Sequence, residues 1–400
     1  MKICLVCSGY PPDNGGGIGT YTENLANALY EIGNDVTVIS KSENDYSHYE
    51  NTGNIKVIRA RVKYIPILER LVPGISWSIQ LNSILREIQK KDSSFDVIEF
   101  PNWEAPGIVY QLLNRTSTVV VRVHTPYFET LQLDKGIQRS FSDKVICAIE
   151  KLSCLKAHSL VSSTEAHAKM ICDEYNIAIN KFAIVPLGLK DCFVAEEKNS
   201  KYIKDNKFKI IYLSRLENRK GTLLLIDALP ILLNGKPDLI IDIIGQDRPH
   251  APGGIYFKEY FKKHFNEYSA QVKFHGKLET SLCHDFLYKA DLFVVPSLYE
   301  SFGLIFAEAM MFGLPSISTR GGGIPEVVLD ESTGLLLNEI SSLELANKIF
   351  YFYNNRDKLH VMSFNARERY IDKFSSITMA KNTISNYELA KTSKSKLADN

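Results

Sequence analysis

The chain has 400 residues, of which 45% are hydrophobic and 23% are charged, and its formal net charge is +1. This length favours two globular domains of ordinary composition, and the balanced charge argues against nucleic acid as a general partner. The 7 cysteines are scattered through apolar segments, and we see neither a signal peptide nor a long apolar span, so we expect a cytoplasmic protein with reduced thiols.

Short apolar runs alternate with helical patterns along the whole chain. The candidate strands of the first half are 3–7, 36–40, 56–61, 97–100, 119–124, 159–163 and 183–186. Those of the second half are 209–213, 240–244, 272–275, 292–296 and 316–319. The clearest helical patterns between them are 21–32, 77–89, 221–233, 282–290, 307–312 and 343–353. Several strands are apolar without alternation, as in parallel strands covered on both faces, so we predict an α/β fold with a Rossmann-like, doubly wound parallel sheet in each half.

The boundary between the halves is indicated by a charged segment with few apolar residues, 191–207, which we interpret as a linker. The domains are then 1–190 and 208–374. A last helical pattern covers 375–391, and the polar residues after it are expected to be disordered. Ligands of such sheets bind beyond the carboxyl ends of the strands, so two facing sheets would enclose a cleft.

A glycine-rich turn follows the first strand and precedes a helix. It contains Gly15, Gly16, Gly17 and Gly19, and glycines at such a turn let the backbone approach a phosphate or a sugar. The dinucleotide fingerprint does not fit, because threonine stands where its third glycine is required. The turn is therefore either a ligand-binding loop or a flexible connection.

Two further strand ends in the first half contain polar or aromatic residues. His124 ends an apolar strand and is followed by a proline, a position where site residues of such sheets gather. Asn102, Trp103 and Glu104 follow another strand, where the indole can stack on a sugar and the carboxylate can accept from a hydroxyl. We interpret this second group as a candidate acceptor site.

In the second half, Arg215 and Lys220 lie in a strand–helix turn, where two cations can neutralise a diphosphate. Arg219, between them, is expected to face solvent. Glu300 and Glu308 bracket the start of a later helix, whose first backbone N–H groups have no intrahelical partner. Such a helix start can bind a phosphate while each carboxylate accepts from hydroxyls.

A second glycine-rich turn, 321–323, follows the strand 316–319. It either supports this site or only makes the turn between the strand and the next helix. The sequence has no Asp-x-Asp pair and no Cys/His cluster at zinc spacing, so we expect no metal site.

Taken in order, these motifs resemble the family 4 retaining glycosyltransferases. No single motif is specific, but their shared order is, and the resemblance extends from residue 1 to about 375. The motifs are Gly15-Gly16-Gly17-Ile18-Gly19, His124-Thr125-Pro126, Pro186-Leu187-Gly188, Ser214-Arg215-Leu216 with Lys220-Gly221, Pro296-Ser297 with Glu300-Ser301-Phe302-Gly303 and Glu308-Ala309, and Gly321-Gly322 with Glu326. The resemblance implies the GT-B architecture, with two Rossmann-like domains facing across a cleft and the last helix crossing back onto the first domain.

The resemblance also implies a reaction and a role for each residue. A hexose-type sugar would pass from a nucleotide-diphosphate sugar to a hydroxyl of a glycan or lipid-linked acceptor, with no metal and no cofactor. Arg215 and Lys220 would hold the diphosphate, Glu308 the ribose, and Glu300 the transferred sugar. The residues that would contact the sugar or its phosphate beside Glu300 are Ser301, Phe302, Gly303 and Leu304. From the first domain, Gly16 and Gly17 would approach the donor and His124 the reacting carbon, and that domain would also bind the acceptor. We assign no nucleophile role to Glu300.

The sequence leaves several alternatives open. The stretch 55–77 mixes apolar residues with Lys56, Arg59, Arg61, Lys63 and Arg70, and it either lies on an anionic membrane, at the inner face of the plasma membrane, or covers the core with its charges outward. A nucleotide-sugar epimerase or hydrolase and a non-catalytic nucleotide-sugar-binding protein are the other candidate functions. UDP, GDP and ADP donors are not distinguished, nor are the sugar, the acceptor and the oligomeric state.

Overall fold

The computed structural model describes residues 1–13, 16–44, 47–91, 94–113, 116–133, 140–193 and 207–398. The chain divides into two units, of which the first contains Met1–Lys190 and the segment from Ser375 onward, and the second contains Asp191–Phe374. Most of the predicted linker, residues 194–206, lies outside the described residues.

In the first unit, the described residues form an eight-stranded sheet in the order β3-β4-β2-β1-β5-β6-β7-β8. Its strands are β1 (Lys2–Cys7), β2 (Asp35–Lys41), β3 (His48–Thr52), β4 (Ile55–Ala60), β5 (Val97–Pro101), β6 (Thr118–Arg122), β7 (Ser159–Ser162) and β8 (Phe182–Ile184). Every neighbouring pair is parallel except β3 with β4. The sequence patterns missed β3, because His-Tyr-Glu-Asn-Thr has no apolar run and the strand lies half-exposed at the sheet edge.

Helices cover this sheet on both faces. They are α1 (Gly16–Glu31), α2 (Pro66–Leu71), α3 (Ile75–Lys91), α4 (Ile108–Leu113), α5 (Tyr127–Leu133), α6 (Phe141–Lys156) and α7 (Glu165–Tyr175). Local sequence fixes where α6 begins, since the Ser140 hydroxyl accepts from the Asp143 N–H at 3.2 Å and the Asp143 carboxylate accepts from the Ser140 N–H at 2.7 Å. Two buried apolar clusters, one on each face, form the core of the unit.

In the second unit, the described residues form a six-stranded, fully parallel sheet in the order β11-β10-β9-β12-β13-β14. Its strands are β9 (Phe208–Leu213), β10 (Leu239–Ile244), β11 (Val272–Gly276), β12 (Leu292–Val294), β13 (Ser316–Ser318) and β14 (Gly334–Leu336). Its helices are α8 (Thr222–Leu233), α9 (Phe257–His264), α10 (Thr280–Lys289), α11 (Leu304–Met311), α12 (Ile324–Val327), α13 (Ser342–Asn354) and α14 (Arg356–Arg369). The sequence patterns missed β14, at the edge of this sheet.

The last helix, α15 (Ser376–Ala398), belongs to the first unit. Met379, Ala380 and Tyr387 are buried in the same apolar cluster as residues of α1, and the Tyr387 hydroxyl donates to Glu99 at 2.8 Å. The expectation of disorder is wrong for residues 391–398, because α15 continues to Ala398 and the Lys391 ammonium lies 2.7 Å from Asp96. Residues 399 and 400 lie outside the described residues. In the part of the chain that the structure describes, no helix is long and apolar enough to span a bilayer.

Candidate functional site

The second unit gathers charged side chains where β9 and β12 end. The strand order reverses between these two neighbours, and ligands of such sheets bind at that point. Lys220 follows β9 and Glu300 follows β12, and the Lys220 ammonium lies 2.5 Å from a Glu300 carboxylate oxygen. Only 9% of Lys220 and 8% of Glu300 are exposed. Two of the predicted site residues therefore form a buried ion pair.

Glu300 is held by more than Lys220. The Ser297 hydroxyl donates to the same carboxylate oxygen at 2.8 Å, and the Arg219 guanidinium lies 3.7 Å from the other oxygen. Arg219 also donates to the Tyr299 carbonyl at 3.1 Å. The prediction that Arg219 faces solvent is wrong, because the turn after β12 passes close to it and half-buries its side chain.

Positive charge is concentrated at this strand end. Burial lowers the pKa of Lys220, and although Glu300 opposes this effect, the nearby Arg219 and Arg215 lower the pKa further. Arg215 itself is exposed, with its guanidinium 3.2 Å from Glu217. Three cations lie near two carboxylates, Glu217 and Glu300, so the cluster keeps an excess of positive charge that favours a bound anion.

The turn after β9 is fixed by close packing. Gly221 has a φ of +69° and directly precedes α8, and a Cβ at this position would lie 2.1 Å from the Pro296 carbonyl oxygen. The Tyr212 hydroxyl lies 2.7 Å from the Thr222 hydroxyl, which in turn accepts from the Glu217 N–H at 3.0 Å. Only glycine fits this approach, so the turn presses Lys220 against the end of β12.

The start of α11 lies directly after Glu300. Gly303 has a φ of +85°, and no side chain caps the helix. The N–H groups of Leu304 and Ile305 therefore have no intrahelical acceptor, whereas the Phe306 N–H donates to the Gly303 carbonyl at 2.9 Å. Ser301 is half-buried in the same turn. The Phe302 side chain is buried with its ring centroid 5.6 Å from that of Phe374, so this residue can offer a ligand only its backbone.

The second glycine-rich turn supports the same site. The Gly323 N–H donates to the Glu300 carbonyl at 2.8 Å, and Gly322 pairs with Glu300 in an isolated parallel bridge. The turn therefore holds the backbone of Glu300 in place, which decides the alternative that the sequence left open.

A cavity of about 490 Å³ lies against β14, α13 and α14, and none of the predicted site residues line it. A second cavity, of about 420 Å³, lies beside the ends of β9, β10 and β11. Its wall includes Ser214, Arg215, Gly245, Lys277, Ile305 and Glu308. It is the size of a small-ligand pocket and lies where α/β sheets bind nucleotides, so we take it as the candidate ligand cavity.

Glu308 is oriented by a residue that the sequence patterns missed. His284, on α10, places its Nε2 atom 3.1 Å from a Glu308 carboxylate oxygen and its Nδ1 atom 3.3 Å from the Cys192 sulfur. The hydrogen bonds with Cys192 and with Glu308 raise the pKa of His284 to about 10. Among the described residues, no group of three or more His, Cys, Asp or Glu side chains is arranged to hold a metal ion.

In the first unit, the loops after β5 and β6 are joined. The buried Asn102 accepts from the His124 N–H at 2.8 Å, and the His124 ring stands edge-on to Tyr21 with centroids 4.9 Å apart. Burial, followed by the charges of Arg122 and His167, lowers the pKa of His124 to about 3. Its imidazole is therefore neutral at physiological pH.

A buried carboxylate on α6 anchors both loops. Glu150 accepts from the Glu104 N–H at 3.0 Å and from the Tyr127 N–H at 2.8 Å, and burial raises its pKa to about 7. The Trp103 ring lies beside that of Tyr127, with centroids 5.5 Å apart, and the Glu104 carboxylate lies 3.3 Å from Lys41. Glu150 was missed because it lies in the middle of a helix, without a motif around it.

Arg59 fixes the start of the first glycine-rich turn. Its guanidinium donates to the Tyr10 and Pro11 carbonyls, each at 2.6 Å, and lies 2.9 Å from Asp13. Only 2% of Arg59 is exposed, so its assignment to a basic surface stretch is wrong. Gly16 and Gly17 begin α1, whereas Gly15 lies outside the described residues.

Comparisons with known proteins agree with this architecture. A model of the family described as glycosyl transferases group 1 matches residues 193–369, and a model of glycosyltransferase family 4 matches residues 15–191. An uncharacterized glycosyltransferase of Methanocaldococcus jannaschii is 24% identical over 98% of this chain and 98% of its own.

Among solved structures, sucrose-phosphate synthase from Thermosynechococcus elongatus has a TM-score of 0.74 and 21% identity, and the match covers 97% of this chain and 98% of that chain. Anabaena HepE in complex with UDP-glucose has a TM-score of 0.68 and 18% identity, over 97% of this chain and 99% of that chain. The predicted GT-B fold, with two Rossmann-like parallel-sheet domains, is confirmed.

Proposed function

The chain belongs to the glycosyltransferases of group 1 and family 4, and from this premise we propose that it transfers a hexose from a nucleotide-diphosphate sugar to a hydroxyl of a glycan or lipid-linked acceptor. We place the reaction in the synthesis of a cell-surface polysaccharide or glycolipid. The observation on which the proposal depends is the buried Lys220–Glu300 pair at the strand-order reversal, next to an uncapped helix start and a cavity lined by Glu308.

In this proposal the second unit holds the donor. The nucleoside occupies the 420 Å³ cavity, and Glu308 accepts from its ribose hydroxyls. Arg215, Lys220 and the first N–H groups of α11 bind the diphosphate. An ammonium has three donors, so Lys220 can keep its bond to Glu300 while it donates to a phosphate oxygen. Negative charge grows on the departing diphosphate in the transition state, and fixed cations there lower the barrier.

The first unit is proposed to bind the acceptor through Trp103 and Glu104, while the predicted acceptor residue Asn102 is buried and instead holds their loop against that of His124. His124, Gly16 and Gly17 are assigned to the donor sugar. The neutral imidazole of His124 supports its part, because it can donate one hydrogen bond and accept another without adding a charge beside the reacting carbon.

We propose that the reaction retains the anomeric configuration and needs no metal. The acceptor oxygen bonds to the anomeric carbon on the face that the diphosphate leaves, the carbon–phosphate oxygen bond breaks, and a phosphate oxygen takes the acceptor proton. Glu300 is not the nucleophile in this scheme. Its carboxylate oxygens are already engaged by Lys220, Ser297 and Arg219, which suits a role in holding the sugar and the cations.

A thermal-shift screen with UDP, GDP, ADP and their sugars tests the donor site. Turnover is then measured with the stabilising donor and a panel of glycan and lipid-linked acceptors, with and without a chelator, and NMR of the product gives its anomeric configuration. Donor consumption that does not depend on acceptor would indicate a hydrolase or epimerase. Binding without any turnover would indicate a nucleotide-sugar-binding protein.

A further inference from the structure

One segment of the first unit exposes apolar side chains to a degree that its fold does not require. The apolar segment is defined by Tyr64, Ile65, Ile67, Leu68 and Leu71, which lie in α2 and just before it. Ile67 is 76% exposed, Tyr64 is 60% exposed and Leu71 is 50% exposed, and α2 has no buried residue. A contiguous patch of exposed apolar side chains usually marks a surface that binds another protein, a membrane or a ligand.

The helix is anchored by its polar side, which reverses the usual arrangement of an amphipathic helix. Glu69 accepts from the Gly74 N–H at 2.7 Å and from the Ser76 hydroxyl at 2.6 Å. The carboxylate is thus half-buried against the protein while Ile67 and Leu71 point away from it. A partner on the outer side would cover apolar surface without disturbing these hydrogen bonds.

The charges around the apolar segment are basic. Arg61, Lys63 and Arg70 are exposed beside it, and Glu69 is the single acid of the stretch 55–77. Two of the five basic residues that the sequence placed in this stretch do not contribute to the basic surface, because Lys56 pairs with Asp35 on the sheet and Arg59 is buried. Exposed apolar residues with lysine and arginine beside them match the interface of a bilayer that contains anionic lipids.

The apolar segment is close to the candidate acceptor loop. Gly74, whose N–H donates to Glu69, also packs against Glu104. A Cβ at Gly74 would lie only 2.9 Å from the Glu104 Cβ. We propose that the apolar segment docks the first unit onto an anionic lipid surface, with the loop of Trp103 and Glu104 beside the membrane. That the loop then receives a lipid-borne acceptor rests on the proposed function, whereas the docking itself does not.

Co-sedimentation with phosphatidylcholine vesicles, with and without phosphatidylglycerol, tests the docking. We expect binding to the anionic vesicles that weakens at high salt. The double variant Ile67→Ser/Leu71→Ser should reduce the fraction bound at least about tenfold, and Lys63→Glu/Arg70→Glu should do the same for anionic vesicles. Neither variant touches a buried side chain, so both should keep the parent melting temperature and its shift with nucleotide.

A matched control removes two other exposed leucines of the same unit, in Leu112→Ser/Leu113→Ser, and should bind vesicles as the parent does. Absence of parent binding to anionic vesicles at low salt would overturn the proposal, as would equal loss in the control. Self-association of the parent that Ile67→Ser/Leu71→Ser abolishes, without vesicle binding, would assign the surface to a second copy instead. Vesicle binding by a protein that shows no turnover would uphold the docking and reject the proposed transfer.

Discussion

Replacing Lys220 by methionine tests what the buried pair with Glu300 does. The substitution keeps most of the side-chain stem and removes the ammonium 2.5 Å from the carboxylate. Because only 9% of Lys220 is exposed, little water replaces it. Ser297 and Arg219 still contact Glu300, so we expect the loss of one charge-assisted hydrogen bond, about 2 kcal/mol of unfolding free energy. In a unit of this size, the melting temperature should fall by about 4–8 °C.

Turnover should fall by more than stability explains. A cation fixed at the departing diphosphate acts mainly in the transition state, and removing one such group costs a factor of about 10²–10³ in turnover. Circular dichroism during heating gives the stability, calorimetry with the nucleoside diphosphate gives the affinity, and initial rates with the stabilising donor give the turnover. Lys262→Met, which removes an exposed lysine of α9, is the matched control and should change none of the three.

The double variant Lys220→Met/Glu300→Gln distinguishes two roles of the ammonium. It removes both charges, so the stability lost in Lys220→Met should largely return, since deleting both partners of a buried pair is often nearly neutral. Because Glu300 is itself proposed to hold the sugar, the double variant is compared with Glu300→Gln alone. Its turnover should be lower than that of Glu300→Gln if Lys220 acts on the leaving diphosphate. Recovery of turnover to within about tenfold of the wild type would refute that role, and would show that Lys220 only neutralises Glu300.

Three further substitutions test the other parts of the site. Glu308→Gln should weaken nucleoside diphosphate binding by about tenfold in calorimetry, and an unchanged affinity would reject the ribose role. Glu150→Gln should flatten a pH dependence: burial raises the pKa of Glu150 from 4.5 to about 7, so wild-type stability contains a contribution that falls as pH rises through this window. Melting curves between about pH 4 and about pH 8 should show that slope only in the wild type, and equal slopes would contradict the reasoning. Trp103→Ala should raise the acceptor KM about fivefold or more without changing donor affinity, and an equal KM would remove the indole from the acceptor site.

Much of the fold could be predicted because parallel strands have a local signature. Central strands such as β5 and β6 are buried on both faces, so their sequences are mostly apolar without alternation, and this pattern needs no tertiary information to be recognised. Of the strands that were missed, β3 lacked that signature because it is polar and lies half-exposed at an edge of its sheet. The charged tail after Lys391 was misjudged because its helix is stabilised by contacts, such as that with Asp96, that are distant in the chain.

The candidate site divides in the same way. Glu300, Glu308 and Lys220 could be named from the sequence, because Glu300 and Lys220 lie in strand–helix turns and Glu308 lies in the helix that follows one of them, and local patterns indicate both. Arg219 was misassigned, since its burial depends on the turn after β12, about eighty residues later in the chain.

By itself, the sequence determined the two Rossmann-like sheets, the order of the glycosyltransferase motifs and the residues at the strand ends, since these depend on spacing along the chain. Only the tertiary structure decided that Arg59 is buried, that Glu150 joins two loops, that His284 orients Glu308 and that the side chains of α2 point outward. The physical reason is that burial and pairing depend on which distant segments pack together. The sequence alone does not show whether the charge of a lysine, an arginine or a glutamate is solvated by water or paired with another side chain.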